Sequence, residues 1–328
     1  MRARDAIIGS AQVQGGPGSP PTLDMAARFR RLDGDHQGAV IAGELFEDLS
    51  FEATQGNPAD LTATSATILH RLPNADPRKA DYAPLATITR PTVDQFRAAV
   101  TLVGGYADLR EDRLSEILSQ TTEIIAFFAA ISPVEPSRSK NIREILSVGL
   151  DIATMCVMRV KLALGCPRPT QFSDRVQPMI SCPSHAAYPS GHSTQAFTLA
   201  TLLTLLDDPA AGVDPESQLY RMACRIAINR TVAGVHYPAD SASGAILGIQ
   251  IGRYLMARAL NKEVTSATFD GSAFEVPHGP RDFHFAELQA MLAGDATTSF
   301  GAAQPVRVAP LWSSIWARAS EEWGNRWS

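Results

Sequence analysis

The sequence predicts a mostly α fold, a large helical bundle with long loops. Three observations lead there. Apolar residues recur at helical spacing from about residue 92 to residue 261. Stretches that alternate apolar and polar residues, as half-buried strands require, are scarce. No internal repeat divides the chain. With 328 residues, 45% of them hydrophobic, a sizeable core is easily buried, in one large domain or two ordinary ones.

Element by element, residues 9–22 read as an irregular arm of glycine, serine and proline. Helical segments follow near 23–32 and 42–49, and residues 54–91 are broken by prolines and short polar runs. The helical period then carries 93–104, 110–131, 138–164, 193–207, 215–230 and 240–261. Met155, Val157, Met158, Val160, Leu162 and Leu164 make the 138–164 segment apolar nearly all round, so it is expected at the centre of the bundle, stopped by Gly165 and Pro167. This organises the chain as an N-terminal arm with accessory helices (1–90), a helical bundle carrying the chemistry (91–262) and a C-terminal extension (263–328). Trp312, Trp316, Trp323 and Trp327 recur there at spacings of 4, 7 and 4, on one helical face. That face serves either to dock a terminal helix on the core or to join two copies of the chain into a dimer.

Composition narrows the function. A net charge of −5 argues against a nucleic-acid partner. Cys156, Cys166, Cys182 and Cys224 form no C-x-x-C pair, which disfavours zinc and suits a reduced, cytoplasmic protein. Arg2, Arg4 and Asp5 open the chain without an apolar run of signal-peptide length after them. The most apolar stretch, 145–165, is interrupted by Asp151, Arg159 and Lys161, so no membrane span is expected.

Three distant stretches carry the chemistry. Lys161 stands seven residues before Arg168-Pro169. Pro189-Ser190-Gly191-His192 opens a helix. Arg230, His236 and Asp240 are spaced six and four apart. Together they offer three cations, the free N–H groups of a helix N-terminus and two histidines, which is what a tetrahedral oxyanion needs. A charge at the end of a buried helix is costly unless it is paired or faces a ligand, which singles out Lys161 and Arg168. His192 can move protons near neutral pH. Asp240 can accept from one ring nitrogen of His236 and leave the other as nucleophile or ligand. Taken singly each piece has an ordinary reading: a snorkelling cation, a Pro-Ser-Gly turn, Asp240 with Ser241 as a helix cap.

The pattern of Lys, six residues, Arg-Pro; Pro-Ser-Gly-His; and Arg, five residues, His, three residues, Asp resembles the signature of the type 2 phosphatidic-acid phosphatase and vanadium-dependent haloperoxidase superfamily. Asn229 stands where that family usually has serine before the arginine. The resemblance implies the family's α-helical bundle. It also implies an oxyanion held by Lys161, Arg168, Ser190, the N–H of Gly191 and Arg230, with His236 bonded to vanadium or attacking phosphorus, Asp240 orienting it, and His192 as acid–base partner. The segment Ser184-His185-Ala-Ala-Tyr188-Pro-Ser-Gly-His192 is similar to the bacterial vanadium bromoperoxidases, which place a second histidine at the position of His185. Met158, where many of these peroxidases have tryptophan, and Ser193, where alanine is common, are departures expected to alter the halide pocket.

On that basis the chain is expected to bind vanadate and to oxidise bromide or iodide with hydrogen peroxide, passing the hypohalite to a small organic acceptor. The rival expectation is a phosphomonoesterase working through a phospho-His236 intermediate, and a third is a helical protein that only binds phosphate. Asp33, Asp35, Gln37 and Glu44, with Gly38 at the sixth position, also approximate a twelve-residue calcium loop flanked by helices, against a plain helix–turn–helix with capping carboxylates. His36, His70, His278 and His284 show no ligand spacing and are expected at the surface or in caps.

Overall fold

The computed structural model describes residues 22–55, 63–74, 76, 78–214, 216–275 and 279–326. The arm over 9–21, His278 and Trp327 therefore lie outside the described residues. The chain divides into two compact units, residues 1–37 and 38–328. In the first, Asp24 caps α1 (Met25–Phe29) by accepting from the Ala27 N–H.

Beside its helices the second unit holds a five-stranded mixed sheet, so the fold is mixed α/β, and the expectation of a mostly α bundle is corrected. The strands are β1 (Leu49–Gln55), β2 (Ala63–Arg71), β3 (Tyr82–Thr89), β4 (Glu263–Asp270) and β5 (Thr298–Pro305), paired in that order. Three of the four pairings are antiparallel, two on the β1 side and one on the β5 side. β3 and β4 run parallel, with Ala86 opposite Ala267. The sequence hides this sheet for a physical reason: β2 and β3 are covered by helices and bury runs such as Ile68–Leu69–His70 instead of alternating, and each antiparallel register slips at a bulge. The parallel pairing joins residues more than 170 positions apart and has no local signal.

From residue 93 to 260 the helices match their periodicity closely, whereas the helix expected near 42–49 runs Gly34–Phe46. They are α2 (Gly34–Phe46), α3 (Val93–Gly105), α4 (Arg110–Ser119), α5 (Ile125–Ala129), α6 (Lys140–Leu164), α7 (Gly191–Asp207), α8 (Gln218–Val232), α9 (Pro238–Leu260), α10 (Gly271–Phe274), α11 (Phe285–Leu292) and α12 (Pro310–Gly324). The segment read as one helix over 110–131 is two. Between them Thr121 and Thr122 return their hydroxyls to the Leu118 and Ser119 carbonyls, and Glu123 accepts from the Ile125 N–H. These local bonds compete with continued helix.

The central helix is α9, not α6. Nearly every residue of α9 is buried, whereas α6 leaves Met155 and Met158 part-exposed and Leu162 83% exposed on an outer face. α9 owes its place to small residues. A Cβ on Gly248 would stand 2.3 Å from the Thr194 carbonyl, and one on Gly244 2.8 Å from the Ser190 carbonyl, both of α7 or its cap. Only glycine lets the two backbones approach that closely. α6 ends at Gly165 in the left-handed conformation (φ 57°), as a glycine stop should.

Trp312, Trp316 and Trp323 are buried within the chain. Trp312 donates to the Leu255 carbonyl at 2.8 Å and Trp323 to Asp207 at 2.9 Å, so α12 is docked on the core. No described helix is long and apolar enough to cross a membrane.

The calcium-loop reading is corrected as well. Gly34 to Phe46 is one α-helix, so no twelve-residue loop forms there. Asp33 accepts from the His36 N–H and ring, Asp35 lies in the first helical turn, and Gln37 donates to the Leu32 carbonyl. Glu44 instead accepts from the Leu311 and Trp312 N–H groups at 3.1 and 3.0 Å, capping α12. Among the described residues no group of three His, Cys, Asp or Glu side chains could hold a metal ion.

Candidate oxyanion site

The three chemical stretches converge because α6, α7 and α9 meet at their ends. Lys161 occupies the last turn of α6, Ser190 is the N-cap of α7, and Asp240 lies in the first turn of α9. The close approach of α9 to α7 is sealed where the Ser190 N–H donates to the Asp240 carbonyl at 2.9 Å. Ser193, whose hydroxyl was expected to alter the pocket, donates instead to the Ser241 carbonyl at 2.7 Å and braces the same junction.

His236 is buried, with its two ring nitrogens in distinct roles. Nδ1 lies 2.7 Å from Asp240 Oδ2, and Nε2 lies 3.0 Å from Arg168 Nη1. A guanidinium can only donate. Nε2 therefore carries a lone pair, and the proton sits on Nδ1, donated to the carboxylate. Burial, then the charges of Arg168 and Lys161, hold His236 well below the usual imidazole range, so the ring is neutral. Asp240 also accepts from the Tyr237 N–H at 3.0 Å. Burial raises its proton affinity, partly offset by that backbone bond and by the charges of Lys161 and Arg168.

The three cations surround this ring. Arg168 is fixed by the carbonyls of Val235 (2.7 Å), His185 and Ala186. Lys161 Nζ donates to the carbonyls of Ala186 and Ala187 at 2.8 and 2.7 Å, and burial followed by the Arg168 charge pulls its proton affinity down. Arg230 is 1% exposed and gives only Nη2 to the protein, to Gln120 Oε1 at 2.8 Å and the Ile117 carbonyl at 3.3 Å. Its Nε and Nη1 are buried without a partner. Burial lowers this guanidinium to about 10. Orphaned donors on a buried cation are costly, and an anion placed beside them would satisfy them. Gly191 lies beside Lys161: a Cβ there would make ordinary van der Waals contact with Lys161 Cε at 4.0 Å.

His192, in the first turn of α7, directs Nε2 to the Gln120 carbonyl at 2.9 Å. A carbonyl only accepts, so Nε2 holds the proton and Nδ1 is bare. Burial, then Arg230, lower His192 to about 4. His185 places Nδ1 3.1 Å from Arg168 Nη2, beside the same cation that touches His236. Every residue read from the sequence as part of the oxyanion cage is thus at this junction.

One residue stands differently from its sequence reading, and another shows what its departure from the family pattern does. Asn229 spends its side chain on α4 and Gln120. Its amide donates to Glu116 Oε1 (2.9 Å) and Gln120 Oε1 (3.1 Å) and accepts from Arg113. His70, expected at the surface or in a cap, is wholly buried. Gln120 was missed altogether. Nothing local marks a glutamine at the end of an amphipathic helix as facing a site built 40 to 120 residues later.

No curated protein matches this chain. Residues 144–263, which contain all three stretches from Lys161 to Asp240, match the model of the PAP2 superfamily, which covers phosphatases and haloperoxidases.

Proposed function

We propose that this protein is a vanadate-dependent haloperoxidase that oxidises bromide or iodide with hydrogen peroxide. The observation that carries the oxyanion reading is Arg230, buried with two donor nitrogens left over. The residues fit vanadate. Lys161, Arg168, Arg230, the Ser190 hydroxyl and the Gly191 N–H would hold its oxygens, and His236 Nε2 offers the nitrogen ligand. When bound, vanadate supplies a Lewis acid that activates peroxide for attack by halide.

The chain's own groups do the rest. Asp240 keeps the His236 proton on Nδ1 and so keeps Nε2 available. The bare Nδ1 of neutral His192 takes the proton of the incoming peroxide. Lys161, anchored by two carbonyls, keeps one N–H to polarise the bound oxidant. His185, 3.1 Å from Arg168, favours the peroxidase over the phosphatase because it adds a second imidazole beside the cage.

The second reading is a phosphomonoesterase, favoured by the lone pair of His236 Nε2 among three cations, an arrangement equally suited to attack on phosphorus. A paired assay on one preparation separates them. With vanadate added, bromide- or iodide-dependent peroxide consumption is expected. With vanadate removed, turnover of a chromogenic phosphate ester would instead favour the phosphatase.

A further inference from the structure

Gln120 touches two functional groups with two different oxygens. It is the C-cap of α4, 1% exposed, on a helix that lies outside residues 144–263. Its side-chain oxygen accepts from Arg230 Nη2 at 2.8 Å and from Asn229 Nδ2 at 3.1 Å. Its main-chain oxygen accepts from His192 Nε2 at 2.9 Å. Its amide nitrogen donates to Glu116 Oε1 at 3.0 Å, and that oxygen also accepts from Asn229.

Each bond fixes an orientation. An arginine tethered at Nη2 has its guanidinium plane fixed, and its other two nitrogens, Nε and Nη1, are the atoms buried without a partner. An imidazole that donates Nε2–H to a carbonyl has its lone pair on Nδ1, on the opposite side of the ring. One residue therefore fixes two donor nitrogens of Arg230 and one acceptor atom of His192 while leaving all three unspent. Glu116 holds the amide plane that makes this orientation single-valued. Glu116 is in turn gripped by Arg225, whose Nε and Nη2 approach its two oxygens at 2.7 Å each.

We propose that Gln120 is the positioning residue of the oxyanion site, aiming Arg230 through its side chain and fixing the His192 tautomer through its main chain. The same network explains Asn229. In place of a serine reaching toward the anion, its amide locks Gln120 and Glu116 together behind Arg230. The inference rests on the oxyanion reading of the pocket and is independent of which reaction follows.

The test uses the full chain, inorganic phosphate as probe, and calorimetric titration. Gln120→Met keeps the shape and removes the side-chain acceptor. The loss of one hydrogen bond to a buried charged group predicts phosphate binding weakened about tenfold or more. Nitrogen-15 spectra of the histidine rings supply a second readout that a general loosening of the fold would move differently. In wild type and Gln120→Met alike, His192 should be protonated at Nε2 and bare at Nδ1, because the carbonyl is untouched. Gln120→Glu retains an acceptor for Arg230 but sets a negative charge behind it, and is also expected to weaken phosphate binding; it supplies the comparison should Gln120→Met not fold. Phosphate affinity within twofold of wild type in the folded variants, or a wild-type His192 protonated at Nδ1, would overturn the assignment of Gln120 while leaving the oxyanion site standing. A wild-type chain that binds no phosphate would sink the oxyanion reading and this inference with it.

Discussion

His236 Nδ1 and Asp240 Oδ2 lie 2.7 Å apart, both buried, with Arg168 Nη1 3.0 Å from the other ring nitrogen. Asp240 thereby decides which nitrogen of His236 is free. Asp240→Asn preserves the shape but can donate where the carboxylate only accepts, which turns the tautomer over. Affinity for vanadate, read by titration, should fall about 10- to 100-fold, the usual cost of losing the partner of a ligating histidine. Unchanged affinity would show that His236 is not the ligand.

On the proposed oxyanion reading, Arg230 links stability to an anion. Its Nε and Nη1 are buried without a protein partner, and a ligand that binds only the folded state raises its stability. Phosphate at 100 times its dissociation constant should stabilise the wild type by about 2.7 kcal/mol, seen as a rise in melting temperature. Arg230→Met should lose most of that rise. An equal rise in the variant would place the anion elsewhere.

On the proposed mechanism His192 sets the acid limit of turnover. Burial and the Arg230 charge lower it to about 4, so its Nδ1 lone pair is available at neutral pH and down to that value. The pH profile of kcat should stay level on this account until about pH 4 and fall below it. His192→Gln should lose about 100- to 10,000-fold in kcat while still binding the anion, as removal of a proton-transfer group does. A variant with wild-type kcat would remove His192 from the mechanism.

His70 predicts acid sensitivity of the fold. Burial holds its proton affinity below the usual value of 6.5, with the Arg258 charge adding to the effect and the Asp48 charge and a backbone bond opposing it. The unfolded chain therefore takes up this proton first as the pH falls. The stability associated with neutral His70 is complete above 6.5 and is lost as the pH drops toward the folded value. His70→Phe, which keeps a ring against Tyr254 5.8 Å away, should unfold less readily than wild type at pH 5 relative to pH 8. Parallel pH dependence of the two melting curves would contradict this.

Glu44 caps a helix, and its substitution should read as a cap. Glu44→Ala leaves the Leu311 and Trp312 N–H groups without their acceptor and should cost about 1 kcal/mol by denaturant unfolding. Added calcium should leave the melting temperature of the wild type unchanged. A calcium-dependent rise would contradict the capping role.

The oxyanion cage was legible because its parts are local. A helix stop at Gly165, a Pro-Ser-Gly turn opening α7 and a histidine four residues before an aspartate are short-range patterns, and each predicts the direction of its own side chain. The helices from 93 onward were legible for the same reason, as periodicity is written into consecutive residues. Departures from the family pattern were visible as substitutions, but not their meaning. Asn229 and Ser193 both turned out to brace helices, since their partners, Glu116, Gln120 and Ser241, are fixed only by packing.

By itself, then, the sequence determined which groups this protein could turn on an anion and on which helix ends they ride. Tertiary structure alone decided the rest: the parallel pairing of β3 with β4, the burial of His70, the central place of α9, and the Gln120 that backs both Arg230 and His192. The physical reason is range. Backbone propensity and side-chain spacing act within a few residues, whereas a pairing across some 170 positions, or a glutamine meeting an arginine 110 residues later, exists only once the hydrophobic core has drawn the chain together.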